Sequence, residues 1–174
     1  MLKYMITDPN YSLEEIFNAI KKHKPDFVCY RNKKYFDEEE IIEFAKFAKN
    51  YSKVFINLDS LKDTSLLKYF DGVHIPSSRL DEIDKFKNKI TIASTHNTKE
   101  VLKTKDADFI TFSPVFDSKG RKGLGVKVLN KICKIHPNVI ALGGIISKKE
   151  VKEIKKSKAI GFASIRYFLN NQSY

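Results

Sequence analysis

The sequence predicts an α/β protein, a single compact (β/α)8 TIM barrel spanning residues 1–174 as one domain. Three observations predict it. Strand-like and helix-like segments alternate eight times along the chain, and strands separated by helices pair in parallel through right-handed crossovers. An open doubly wound sheet would want a glycine-rich turn after its first strand, and Thr7-Asp8-Pro9-Asn10 is not one. No linker, low-complexity segment or repeat beyond the strand–helix unit divides the chain. Barrels of this kind usually run to about 250 residues, so loops and helices must be short here.

Each unit has its own signals. Leu2 to Thr7 is an apolar run closed by Asp8-Pro9. Ser12 and Glu15 stand at capping-box spacing, and Leu13, Ile16, Phe17 and Ile20 recur at helical spacing. Phe27 to Tyr30 is the second strand. Asp37 to Asn50 reads as a helix with Ile41, Phe44, Ala45 and Ala48 on one face and acids in its first turn. Lys53 to Leu58 is the third strand, followed by a short helix over about Ser65 to Phe70. Gly72 to Ile75 is the fourth, closed by Pro76-Ser77-Ser78, with a helix around Leu80 to Phe86. Lys89 to Ser94 is the fifth, and Asn97 with Glu100 caps the next helix. Phe109 to Phe112 is the sixth, and Val126 to Ile135 the helix after it. Asn138 to Leu142 is the seventh, followed by a helix capped by Ser147 and Glu150. Ala159 to Ile165 is the eighth, and a last short helix starts at Arg166.

Composition narrows the class. An apolar fraction of 42% suits a soluble globular protein. No run reaches the length that crosses a bilayer, and Met1-Leu2-Lys3-Tyr4 leads directly into a strand rather than a signal peptide. The two cysteines, Cys29 and Cys133, read as small buried hydrophobes, which points to the cytoplasm. The net charge of +11 invites a nucleic-acid partner. Against that, the lysines are spread along nearly every helix, and aromatics do not interleave with them. The bias toward Lys, Ile, Asn, Phe and Tyr is that of an AT-rich genome.

In a barrel the strand ends and the loops after them form the active face. Here those loops collect Arg31, Lys33, Lys119, Arg121, Lys122 and Arg166, with few carboxylates. The stretch after strand six, Asp117-Ser118-Lys119-Gly120-Arg121-Lys122-Gly123, reads as a flexible basic loop in which glycines admit an anion and cations neutralise it. Gly143-Gly144 and the segment Ala163 to Arg166 stand where barrels often bind phosphate. Alternation leaves His74 facing either the barrel mouth or the helix layer. His96 stands at a helix entry.

The ordered motifs YMITD, CYRNK, FIN, DGVHIP, STHN, FSPVF with its basic glycine loop, ALGGI and GFASI resemble those of the thiamine phosphate synthase/TenI family of small TIM barrels, over about Tyr4 to Phe168. The resemblance implies a transferase of thiamine biosynthesis. It would join a hydroxymethylpyrimidine diphosphate to a thiazole phosphate and release diphosphate, with Mg2+. It places Arg31, Lys33, Ser94 and Arg121 in catalytic positions around the diphosphate. Asn57, His74, Ser118, Lys119, Lys122, Gly144, Ala163, Ser164, Ile165 and Arg166 fall in substrate-binding positions. The implied partners are phosphorylated small molecules, neither nucleic acid nor membrane, with a homodimer left open.

Two departures weaken the expected Mg2+ site and leave its ligands unknown. The family's metal aspartate after Asn57 is Leu58 here, with Asp59 one residue on. The second metal aspartate is replaced by Arg79, with Asp81 two residues further. A TenI-like thiazole tautomerase would need a histidine after strand six, where this chain has Pro114. A catalytically silent phosphate-binding homologue is the third reading.

Overall fold

A computed structural model describes residues 1–170; the last four, which the expected domain span included, lie outside the described residues. Eight parallel strands close into one barrel in sequence order. They are β1 Leu2–Ile6, β2 Phe27–Tyr30, β3 Lys53–Asn57, β4 Gly72–Ile75, β5 Ile90–Thr95, β6 Phe109–Phe112, β7 Val139–Leu142 and β8 Gly161–Ser164. The ring closes through β1 and β8, with Tyr4 opposite Ala163. The α-helices are α1 Leu13–His23, α2 Glu38–Ala48, α3 Thr98–Leu102, α4 Gly125–Ile132, α5 Lys148–Lys155 and α6 Arg166–Leu169.

The predicted capping boxes form at Ser12/Glu15 and Ser147/Glu150. Each leaves two fewer orphan N–H groups at its helix start. The helices expected after β3 and β4 are 3₁₀ instead, over Leu58–Ser60, Thr64–Tyr69 and Ser77–Phe86. The last is broken at Arg79, where φ is −129°. These thin connections, with α3 and α6 of one turn each, are how eight units fit in so short a chain.

Alternation sorts the core into two layers. Tyr4, Ile6, Phe27, Cys29, Phe55, Ile92, Ile140 and Ala163 point into the barrel and form one cluster. Their strand neighbours Met5, Val28, Val54, Val73, Ala93, Ile110, Val139 and Phe162 point outward and pack under the helices. Three aromatic rings fill one side of the interior, Phe27 lying 4.9 Å from Phe55 and 5.2 Å from Phe109 between centroids. Gly72 makes room for them, since a Cβ there would stand 2.5 Å from Phe55 Cε1.

A repeated device staples the N-terminal end of the barrel. Asp26, Asp71 and Asp108 each precede an even-numbered strand. Their carboxylates accept the backbone N–H of Lys3, Val54 and Thr91 on the preceding odd-numbered strand, at 2.7, 2.8 and 2.8 Å. Charge-assisted bonds of this kind are short and stronger than neutral ones. They hold the stability face and leave the opposite rim to the loops.

Candidate active-site cleft

At the C-terminal end of the strands the loops enclose a cleft of about 760 Å³. Inward positions at the strand tips supply most of its floor. Arg31 continues the inward row of Phe27 and Cys29, Asn57 that of Phe55, Ser94 that of Ile92, and Ile165 that of Ala163. His74 also faces the barrel mouth, which settles the alternative that the sequence left open.

Of the sequence-predicted residues, Arg31, Lys33, Asn57, His74, Ser94, Ser118, Lys119, Arg121, Gly144, Ser164, Ile165 and Arg166 line this one cleft. Two do not. Ala163 is fully buried one layer below, in the barrel interior, and Lys122 is exposed outside the lining. Asn10, Tyr11 and Leu142 join the wall without having been singled out. The first two come from the turn after β1, which carries no charge pattern to mark it.

The loop after β6 folds as a hairpin. Ser118 and Arg121 exchange both backbone hydrogen bonds, at 3.0 and 2.9 Å. Lys119 and Gly120 between them have φ of 50° and 74°, the primed two-residue turn that suits twisted hairpins. Asp117 Oδ1 accepts the N–H of Gly123 at 2.7 Å. The hairpin base rests on Gly143-Gly144. Val115 N–H donates to Leu142 O at 2.9 Å and Phe116 N–H to Gly143 O at 3.1 Å. Thus the glycine pair first lets the β6 loop pass close by, and it also leaves the Gly144 and Ile145 N–H groups without a protein acceptor among the described residues. Ser164 ties the next loop down, donating to Ile145 O at 2.7 Å and accepting from Tyr167 N at 3.0 Å.

The cleft is strongly cationic. Arg31, Lys33, Lys119, Arg121 and Arg166 line it, against the single carboxylate of Asp8. Among the described residues Lys33 is ion-paired, to Asp59 at 2.6 Å, whereas Arg31 and Arg121 have no carboxylate partner. His96 is held by Glu100, which accepts from its backbone N–H and contacts its Nδ1 at 3.0 Å.

The residues present do not fit a side-chain Mg2+ site. β3 ends at Asn57, whose Oδ1 accepts Asp59 N–H at 3.0 Å. Leu58 therefore turns into the outer hydrophobic core. Asp59 reaches the rim, but it faces Lys33 and, at 3.8 Å, Arg79 Nη1. Arg79 in turn grips Glu82 through Nε at 2.6 Å and Nη2 at 3.0 Å and donates to Leu58 O at 2.9 Å. That fork holds the Glu82 carboxyl down at about 2. Among the described residues no three His, Cys, Asp or Glu side chains gather as a metal cluster would require.

Under the cleft floor lies a buried polar chain. Tyr4 Oη is 2.6 Å from His74 Nδ1, and His74 Nε2 is 2.7 Å from Ser94 Oγ. Burial, then the charges of Arg31 and Lys33, push the His74 pKa from 6.5 down to about 3, so the imidazole is neutral. Between those two values the unfolded chain takes up a proton that the fold refuses. The stability contribution is complete above 6.5 and is lost as pH falls toward 3. His136, also lowered by burial, acts in the same direction. We expect unfolding free energy to drop from pH 7 to pH 5, with His74 contributing about 2 kcal/mol. Urea melts of parent and His74→Gln at both pH values check this. The same drop in both proteins would contradict it.

The comparisons agree with this architecture. The family model described as thiamine monophosphate synthase matches residues 3–168. Thiamine phosphate pyrophosphorylase from Pyrococcus furiosus superposes with a TM-score of 0.81 at 22% identity, over 98% of this chain and 88% of that one. The protein of the same name from Bacteroides thetaiotaomicron gives 0.71 at 18% identity, over 99% and 87%. Phosphoribosyl anthranilate isomerase from Thermotoga maritima gives 0.71 at 11% identity, over 96% and 89%. At these identities the structural likeness establishes the barrel and nothing finer. No curated protein sequence matches. The family match covers nearly the whole chain, and this chain belongs to the thiamine monophosphate synthase family.

Proposed function

We propose that the protein is a thiamine phosphate synthase-like transferase of thiamine biosynthesis, which couples a hydroxymethylpyrimidine diphosphate to a thiazole phosphate. The bond from the pyrimidine methylene carbon to diphosphate oxygen breaks, and its electron pair leaves with the diphosphate. The thiazole nitrogen lone pair forms the new bond to that carbon. No protein nucleophile is needed. The protein has to align two partners and stabilise the departing charge. Arg31, Lys33, Arg121 and the Ser94 hydroxyl suit the diphosphate. Gly144, Ile145, Ile165 and Arg166 suit the thiazole phosphate, with Lys119 at the rim.

The observation that supports this reading is the meeting of unpaired cations from separate loops in one cleft. Calorimetry with each substrate tests it. A synthase binds both, whereas a tautomerase binds the thiazole phosphate alone; a silent phosphate-binding homologue binds ligand without turnover. Pro114 lines the cleft where a tautomerase would need histidine.

The lack of a fitting ligand set for Mg2+ leads to a second expectation. The ligand-free parent should show no saturable binding of Mn2+ used as a spectroscopic surrogate. Arg79→Asp, which places a carboxylate beside Asp59, should gain such binding. Tight Mn2+ binding by the parent would contradict this account of Asp59 and Arg79.

A further inference from the structure

We propose that Tyr4 and His74 are positioning residues that hold the Ser94 hydroxyl as a hydrogen-bond donor aimed at an anionic oxygen in the cleft. The inference rests on the functional reading above only for the identity of the anion.

The geometry carries it. Tyr4 lies on β1 and His74 on β4, so the phenol reaches across the barrel interior to the imidazole. The two rings stack, with centroids 5.7 Å apart and planes 28° from parallel. Phe27 and Phe55 each lie 6.0 Å from the Tyr4 ring, which is fully buried. Ser94, two residues beyond the His74 partner Ile92 on β5, points to the same face and receives the chain at the cleft floor.

Counting protons selects one direction. A neutral imidazole has one N–H and one acceptor nitrogen. The buried phenol keeps its proton, because burial raises its pKa well above 10.0. Suppose Ser94 donated to Nε2. Then Nδ1–H would donate to Tyr4 Oη, and the phenolic proton would face only the Cys29 thiol region of the barrel, a weak acceptor. A buried donor without a good acceptor carries a substantial penalty. In the reverse direction every group is satisfied. Tyr4 O–H donates to Nδ1, Nε2–H donates to Ser94 Oγ, and the serine proton is free for the cleft. Each bond in such a chain polarises the next. The chain therefore favours an oxyanion at Ser94 over a ligand that presents a donor.

Two measurements test this. Nitrogen-15 histidine spectra of the ligand-free protein read the tautomer directly. The chain has four histidines, and His74→Gln assigns the signal. The expected state is protonated Nε2 with bare Nδ1; protonated Nδ1 would overturn the proposal. The second is a double-mutant cycle with inorganic pyrophosphate by calorimetry. Tyr4→Phe keeps the ring and removes the donor, and is expected to weaken binding about fivefold. In a Ser94→Ala background the same change should do almost nothing, since the hydroxyl it directs is gone. An equal loss in both backgrounds would show a merely structural tyrosine and overturn the proposal. Failure of the parent to bind pyrophosphate would count against the diphosphate reading of the cleft, while the tautomer still decides the relay.

Discussion

Arg31→Ala is expected to weaken binding of the pyrimidine diphosphate by about ten- to a hundredfold and to leave thiazole phosphate binding unchanged. Arg31 ends the inward row of β2, and its backbone N–H is fixed by Thr7 Oγ1 at 2.9 Å. Its guanidinium stands free of carboxylates among the described residues, unlike Lys33, whose ammonium is paired with Asp59. A charge-assisted contact to phosphate contributes about 1.5–3 kcal/mol, and each 1.4 kcal/mol is about tenfold. Arg31→Lys should recover part of the loss, because lysine lacks the bidentate fork. Calorimetry with the two substrates separately makes the comparison. Equal affinities of parent and Arg31→Ala for both would reduce Arg31 to a surface residue.

Gly144→Ala is expected to be among the most destabilising single substitutions of the cleft, by about 2–4 kcal/mol. Gly144 has φ of +69°, and a Cβ there would meet Asp117 O at 2.6 Å and Phe116 C at 2.7 Å. Both atoms belong to the hairpin that brings Lys119 and Arg121 to the cleft. Gly120 provides an internal comparison. Its φ is +74°, yet a Cβ there meets nothing within 4 Å. Gly120→Ala should lose only the left-handed backbone term, about 1–2 kcal/mol. Urea unfolding of both variants measures the difference. Equal losses would mean that the hairpin yields freely and that Gly143-Gly144 do not set its position.

The barrel was legible because its signals are local. Capping boxes, apolar runs and terminating prolines sit within a few residues of what they control, and β2, β4 and β6 begin and end where the sequence placed them. The cleft was legible to the extent that strand ends in a barrel must converge. What escaped depends on distant partners. Asp26, Asp71 and Asp108 look like ordinary acids until the neighbouring strand supplies the N–H groups. Tyr4 looks like any apolar strand residue until His74 stands opposite it, 70 positions along the chain. The side that Asp59 faces is not legible in the sequence, because alternation fixes it only if β3 continues, and β3 stops at Asn57. Ala163 and Lys122 miss the cleft for opposite reasons. Ala163 lies one residue pair too deep on β8, and Lys122 lies just past the hydrogen-bonded end of the hairpin. The hairpin of the basic loop was not legible from composition, since glycines at positive φ can close a two-residue turn as readily as they loosen a loop.

The most direct test of the whole account is turnover by the purified protein. Hydroxymethylpyrimidine diphosphate and thiazole phosphate are supplied together, once with Mg2+ and once with a chelator, and thiamine phosphate and inorganic diphosphate are both followed. The account predicts that the two products appear in equal amounts and that Arg31→Ala suppresses both. Absence of product under either condition, with thiazole phosphate still bound, would contradict it and leave a phosphate-binding barrel without synthase activity.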